Sequence, residues 1–217
     1  SFNLDTNKDD RGIFFKWKHY APRDNRIDPS ISNIIDMFVL TDGYYQQILS
    51  WKNNQQSIGL FPEPPTTEEL RLQFSDLNTF KMLSDQIIFR PAAFKVLFGE
   101  QAAPELRAKF KIVKVPSTLV SDNEIKTRVI EAIDQFFELD NFDFGEGFFY
   151  TELAAYIHQQ LATIIGSVVI VPEKAESQFG NLFQVKGEPH ELFISTATAS
   201  NIEIVRGLTS TNMRLDG

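Results

Sequence analysis

Three carboxylates lie close together in the stretch DNFDFGEG, where Asp140, Asp143 and Glu146 fall within seven residues. A histidine, His158, follows on a segment with helical periodicity. Carboxylate oxygens suit hard divalent cations, imidazole binds zinc, and paired carboxylates can act as general acid and base. One hypothesis for the chain is therefore a metal-dependent hydrolase that uses these four residues.

The spacing within this stretch favours a turn over a metal site. A calcium loop of the EF-hand type needs oxygen ligands at alternating positions and a glutamate at position 12. Counted from Asp140, those positions hold Phe142, Phe144 and Thr151, which do not fit. Two glycines in the stretch supply the positive φ that a tight reversal needs. Aromatic residues that interleave with the carboxylates are expected to anchor such a turn: Phe142, Phe144, Phe148 and Phe149.

His158 is alone on its predicted helix, whereas a zinc helix of the common type carries two histidines with a glutamate between them. His19 and His190 are isolated too, and the chain contains no cysteine. The sequence has no Gly-rich phosphate loop and no GxSxG motif around a nucleophile. We therefore predict no catalytic residue, no metal and no cofactor, and we interpret the chain as a non-enzyme.

The charge balance bears on the partners of the chain. The formal net charge is −8 and the sequence pI is about 4.9. Nucleic-acid binding rests on Lys and Arg side chains that neutralise phosphates, and anionic membrane surfaces attract the same residues. The longest apolar stretch, residues 161–171, is too short to cross a bilayer. We therefore predict neither a nucleic-acid partner nor a membrane partner.

The first half of the chain has the pattern of short alternating strands and helices. A capping-box pattern at Thr66 and Glu69 predicts a helix that runs to about Asn78. Three prolines make residues 58–67 a stiff connector ahead of that helix. The other predicted elements are strands at 12–20, 31–40 and 85–92, and a helix over 41–54 with Thr41 or Asp42 at its N-cap.

Residues 110–172 of the second half predict a strand–helix–helix–strand unit. Ser121 and Glu124 form a second capping-box pattern at the start of the first helix. Thr151 is predicted to cap the second helix. The strands of this unit are predicted at 110–115 and 167–171, the latter fully buried. Pro104 is predicted to open a short helical turn, and further strands are predicted at 181–186, 190–195 and 201–208.

These patterns predict an α+β fold in which helices pack on small mixed or antiparallel sheets. A polar segment over residues 1–10 is expected to be flexible. Two small α+β units are predicted to follow it, over residues 11–95 and 96–217.

Aromatic residues are the candidates for contacts with a partner. The chain has 20 phenylalanines, and large rings dominate both cores and interfaces. Trp17 and Trp51 would suit a ligand platform, so a carbohydrate- or receptor-binding adhesin is a further hypothesis. The predicted interface residues are Tyr44, Tyr45, Trp51, Phe148, Phe149 and Tyr150, and core packing is the alternative for each.

Four stretches, taken in order, resemble a known family. They are RIDPSISNIIDMFVLTDGYYQQILSW at 26–51, FKVLFGEQAAPELRAKFKIVKVPS at 94–117, FGEGFFYTELAAYIHQQLATIIGSVVIVP at 144–172, and the closing series FQVK, ELFI and IEIV. Together they resemble the C-terminal part of the baseplate wedge subunits of T-even-type contractile-tailed phages, within the wider baseplate-J-like proteins. The resemblance covers the chain from about residue 12 onward.

The resemblance implies a structural role in a virion. Such proteins associate with their own copies as a homodimer or ring and bind other baseplate wedge proteins around the central hub of the tail. It also implies assembly in the host cytoplasm, and neither catalysis nor a cofactor. In this role DNFDFGEG is expected to be a turn that joins two helices of a scaffold.

Overall fold

The computed structural model of the chain describes residues 34–54, 60–75, 86–173 and 184–207. The predicted flexible segment over 1–10 and the predicted strand over 12–20 lie outside these residues. By its internal contacts the chain divides into two compact units, Ser1–Ala93 and Phe94–Gly217. The sequence analysis places this boundary after residue 95.

The first unit contains two strands and two helices among its described residues. They are β1 (Ile34–Val39), α1 (Asp42–Asn53), α2 (Thr67–Gln73) and β2 (Gln86–Pro91). β1 and β2 pair in parallel, with Met37 opposite Phe89. Parallel strands need a crossover connection, and both helices lie within it. The predicted strands over 31–40 and 85–92 and the predicted helix over 41–54 are confirmed.

Side-chain caps start both helices of the first unit. The Thr41 hydroxyl accepts a hydrogen bond from the Tyr44 amide at 3.3 Å. At α2 the Glu69 carboxylate accepts from the Thr66 amide at 2.8 Å, which completes the predicted capping box. These hydrogen bonds lower the pKa of Glu69. The helix ends at Gln73 rather than near residue 78, because the next residue leaves helical geometry and packs its ring on β2.

The described core of the first unit is small. α2 packs against β2, and a hydrophobic cluster there contains Val39, Leu70, Phe74 and Phe89. Tyr44 and Ile48 of α1 are buried as well.

Among the described residues, the second unit has a larger core than the first, and it contains more helices and strands. They are β3 (Ala93–Leu97), β4 (Ala108–Lys114), α3 (Asp122–Phe136), β5 (Phe148–Phe149), α4 (Tyr150–Gln160), β6 (Ile165–Pro172), β7 (Gln184–Val185), β8 (Glu191–Ser195) and β9 (Ile202–Val205). Short 3₁₀ helices cover Pro104–Leu106, where Pro104 opens the predicted turn, and Ala199–Asn201.

A three-stranded sheet organises this unit, with β4 between β6 and β9. β4 is antiparallel to β6 and parallel to β9, so Lys111 lies between Val169 and Glu203. The inward side chains of β4 pack with both long helices, as in the core residues Phe110, Ile112, Val129, Ile133, Leu153 and Ile157. The predicted strand–helix–helix–strand unit is confirmed, and so is the α+β fold. β3 pairs with β8, and β5 pairs with β7.

Three local predictions for this unit are wrong in part. The Ser121 hydroxyl does cap α3, but the Glu124 carboxylate binds Arg128 at 2.6 Å instead of returning to the cap. α4 begins at Tyr150, so Thr151 lies inside the helix and does not cap it. The predicted buried strand over 167–171 is the edge strand β6. Its middle residues are therefore half-buried.

Candidate functional site

The acidic turn, residues 140–147, joins α3 to β5. Asp140 is exposed, while Asp143 and Glu146 are half-buried. The Glu146 carboxylate accepts a hydrogen bond from the Asp143 amide at 3.2 Å, and the Glu146 amide donates to the Asp143 carbonyl oxygen at 3.2 Å. The Gly145 amide donates to the Glu191 carbonyl oxygen at 3.2 Å. The turn is thus closed on itself and tied to the start of β8.

Both glycines of the turn are required by backbone geometry. Gly145 has φ +69°, in the region that favours glycine, and a Cβ there would lie 2.9 Å from the Cα of Pro189. A Cβ on Gly147 would lie 2.7 Å from the Val185 carbonyl oxygen. These close approaches press the acidic turn against the β7–β8 segment, which is a packing role.

A group of nine rings, here called the aromatic cluster, anchors the turn from inside. Phe142 lies in the turn and Phe148 directly follows it, with ring centroids 6.2 Å apart. Phe148 is fully buried. Aromatic pairs at such separations stabilise beyond the area that they bury. The members of the cluster are Phe98, Phe110, Phe136, Phe137, Phe142, Phe148, Tyr150, Tyr156 and Phe193.

The residues of the hydrolase hypothesis do not form a metal site. His158 is exposed in the last turn of α4, next to the buried Ile157. Within the described ranges, no group of three or more His, Cys, Asp or Glu side chains is placed to hold a metal ion. The hydrogen bonds and close approaches of the turn make it a packed connection between α3 and β5.

The predicted interface aromatics divide into two groups by burial. Tyr44, Phe148 and Tyr150 are 4%, 0% and 7% exposed, so core packing describes these three. Burial raises the pKa of both tyrosines to about 12. The half-buried residues are Tyr45, Trp51 and Phe149, and the Trp51 ring packs edge-on to Phe61 at 4.9 Å.

A polar groove of about 550 Å³ lies beside β9, near the start of α3. Lys126 donates to the Ala199 carbonyl oxygen at 3.2 Å, and Glu203 pairs with Lys111 at 3.2 Å. Its charged lining residues are Lys109, Asp122, Lys126 and Glu203. Because two lysines and two carboxylates line it, the groove favours neither anionic nor cationic ligands.

Sequence reasoning missed two kinds of surface. Leu60, Leu72 and Leu119 are large apolar side chains with 95%, 68% and 102% exposure, and nothing in their local pattern distinguishes them from core leucines. The other surface is the outer edge of β6, which no strand pairs with in the described ranges. Its uncharged, β-branched run is visible in the sequence, but the same run also suits a buried strand.

None of the described helices is long and apolar enough to cross a membrane. In comparisons with known proteins, no family model and no curated protein matches the chain.

Proposed function

We propose that this chain is a structural subunit of the baseplate wedge of a contractile phage tail. It acts without catalysis or cofactor, through contacts with its own copies and with other wedge proteins. Its proposed location is the tail baseplate of the virion, after assembly in the host cytoplasm. It binds neither nucleic acid nor membrane, in keeping with its net charge of −8.

The observation that carries the proposal is the ordered series of four stretches that resemble the baseplate wedge family. The first stretch, at 26–51, includes β1 and most of α1. The second, at 94–117, includes β4, and the third, at 144–172, includes α4 and β6. The closing series falls on β7, β8 and β9. The resemblance therefore involves elements of both compact units and all three strands of the central sheet.

The acidic turn supports a scaffold role over the hydrolase hypothesis. Its glycines approach neighbouring backbone closely and its aromatic neighbours are buried, so the residues there are accounted for by packing.

Exposed apolar side chains support a role in assembly. Leu119 is fully exposed in the connection between β4 and α3, and Leu60 is nearly so. Single exposed leucines are common on monomers, but aliphatic side chains of this kind lose contact with water when a partner covers them. We propose Leu119 as a contact of the second unit with another wedge protein.

Immunogold electron microscopy tests the proposed function. Antibodies raised against the chain are applied to purified contractile-tailed particles made by the genome that encodes it. We expect gold at the tail end distal to the head. Antibody pre-absorbed with the purified chain is the control, and it should leave that end unlabelled.

Two other labelling patterns would contradict the baseplate role. Particles without gold, made by cells that contain the chain, would show that it is not a virion component. Gold at the tips of fibres would place it in an adhesin instead.

A further inference from the structure

The strand β6 occupies one edge of the three-stranded sheet. It pairs with β4 on one side, and in the described part of the chain no strand pairs with its other side. Free edges expose rows of unpaired amide and carbonyl groups, which are templates for pairing with another strand.

The phase of the ladder shows which residues face the free edge. The Glu173 amide donates to the Arg107 carbonyl oxygen at 2.9 Å, and the register continues antiparallel along β4. Because backbone groups alternate in direction along a strand, Val169 turns its amide and carbonyl toward β4. Val168 and Ile170 turn theirs outward.

The two ends of the free edge are marked by residues that interrupt a ladder. The register of β4 with β6 shifts beside Val113, so Gly166 is an extra residue in a β-bulge. At the other end Pro172 has no amide hydrogen to donate. The regular part of the edge between them is centred on Val169.

The two edges of the sheet differ in charge. β6 has five β-branched side chains in its eight residues and no charged one. β9 is four residues long and carries the exposed Glu203, paired with Lys111 at 3.2 Å. Short, charged edge strands resist pairing with other strands, whereas long uncharged ones invite it. Within the described residues, the sheet therefore has a protected edge at β9 and an open stretch of β6 between the bulge at Gly166 and Pro172.

We propose that β6 pairs in an antiparallel ladder with β6 of a second copy, which joins two sheets into one of six strands. The inference deepens the self-association in the proposed function and rests on it. Identical antiparallel strands related by a two-fold axis form a closed pair, and the protected β9 edge prevents further growth. A strand without charge can lie beside its own copy without repulsion.

The register of this ladder follows from the ends of the edge. With the two-fold axis at Val169, Val168 exchanges hydrogen bonds with Ile170 of the second copy, and Ile170 with Val168. Gly166 then lies opposite Pro172 of the second copy. The residue without an amide hydrogen is thus placed against the β-bulge, where no regular hydrogen bond is expected. Val169 faces its own counterpart in a non-hydrogen-bonded pair, with Cα atoms about 4.5 Å apart.

Single-cysteine variants of the full chain test this register directly, because the chain has no cysteine. A Cα separation of about 4.5 Å is within the range of disulfides, so Val169→Cys should form a covalent dimer under mild oxidation. Ser167→Cys is the matched control. Residue 167 would lie opposite Val171 of the second copy, so the two cysteines would be about 13 Å apart along the strands and should not cross-link. No dimer from folded Val169→Cys, or equal dimer from both variants, would overturn the proposed pairing.

Charge insertion tests the association without a cross-link. Val169→Glu places a carboxylate opposite Lys111 within its own sheet but directly beside its counterpart across the axis. We expect the dimer dissociation constant from light scattering to rise about tenfold or more. The isosteric Val169→Thr should keep the unmodified value, and circular dichroism should show that both variants are folded.

The outcomes separate this inference from the proposed function. A dimer whose dissociation constant is the same in Val169→Glu would overturn β6 pairing while self-association stands. An unmodified chain that is monomeric at every concentration would also overturn β6 pairing. Neither result would alter gold labelling of the tail, which tests the proposed function independently.

Discussion

The two compact units differ most in how their aromatic residues pack. In the second unit nine rings form the continuous aromatic cluster around the fully buried Phe148. Among the described rings of the first unit, Trp51 packs on Phe61 at 4.9 Å and Phe74 packs on Phe89 at 5.9 Å. The position of the acidic turn is therefore fixed by a shared core of rings, whereas the described cluster of the first unit is smaller and contains Val39, Leu70, Phe74 and Phe89. The same kind of substitution should have different costs in the two units.

The largest difference is expected from truncating a ring. Phe148→Ala should lower the free energy of unfolding by about 3–5 kcal/mol, because it leaves a cavity that the other rings cannot close. Phe61→Ala, at a half-buried ring that packs edge-on to Trp51, should cost about 1 kcal/mol. Urea unfolding of both variants measures the difference. Equal losses would show that the aromatic cluster contributes no more to stability than the contact between Trp51 and Phe61.

Alkaline pH should lower the free energy of unfolding of both units, because each contains a buried tyrosine. Burial raises the pKa of Tyr44 and of Tyr150 from 10.0 to about 12. The unfolded chain loses these protons near pH 10 and the folded chain only near pH 12. Their contribution is therefore complete below pH 10 and is lost as the pH rises toward 12. For Tyr150 the loss should be about 2–3 kcal/mol.

Phenylalanine variants assign this alkaline loss to each unit. Tyr150→Phe should make the unfolding free energy depend less on pH above 10. Tyr44→Phe should remove the part of the pH dependence that comes from the first unit. Urea unfolding at several alkaline pH values gives both slopes. Slopes unchanged from the parent chain would mean that these phenols already ionise in the folded state.

Two glycines should respond to alanine with opposite signs. Gly147→Ala should destabilise the second unit by about 1–3 kcal/mol, because its Cβ would lie 2.7 Å from the Val185 carbonyl oxygen. Gly43 lies in α1 and a Cβ there meets nothing within 4 Å. Gly43→Ala should therefore stabilise by about 0.5–1 kcal/mol. Thermal unfolding compares the pair. An unchanged or raised Tm in Gly147→Ala would contradict the packed turn, and a lowered Tm in Gly43→Ala would contradict the open space at that position.

Helix caps give a smaller contrast between the units. Thr66 takes part in a full capping box with Glu69, whereas Ser121 makes only the hydroxyl half with the Glu124 amide. Thr66→Ala should cost about 1–2 kcal/mol and Ser121→Ala about 0.5–1 kcal/mol. Hydrogen exchange in the first turns of α2 and α3 would resolve the two losses. A larger loss at Ser121 would reverse the order expected from the hydrogen bonds.

Features set by short-range patterns were predictable from the sequence. Thr41, Thr66 and Pro104 each act within a few residues, and the helix and turn starts that they predict are confirmed. Thr151 shows the limit of this reasoning. The buried rings of Phe148 and Tyr150 fix where the chain enters α4, so the helix begins before the residue with the better capping side chain.

Features set by long-range pairing were not predictable. Residue type alone does not distinguish the buried Tyr44 from the half-buried Tyr45, because both suit a core and an interface. The edge position of β6 depends on the order of strands in the sheet, and its sequence also fits a central strand. The packing of Gly147 on β7 likewise joins residues far apart along the chain.

The smallest expected effect concerns metal ions at the acidic turn. The Glu146 carboxylate accepts from the Asp143 amide, and the exposed Asp140 lies outside that hydrogen bond. A metal that bound only the folded chain would stabilise it in proportion to the logarithm of its concentration over Kd. Millimolar Mg²⁺, Ca²⁺ or Zn²⁺ should therefore leave the Tm of the parent chain and of Asp140→Asn equal within error. A rise in the parent chain that Asp140→Asn abolishes would restore the hydrolase hypothesis and make the turn a binding site as well as a packed connection.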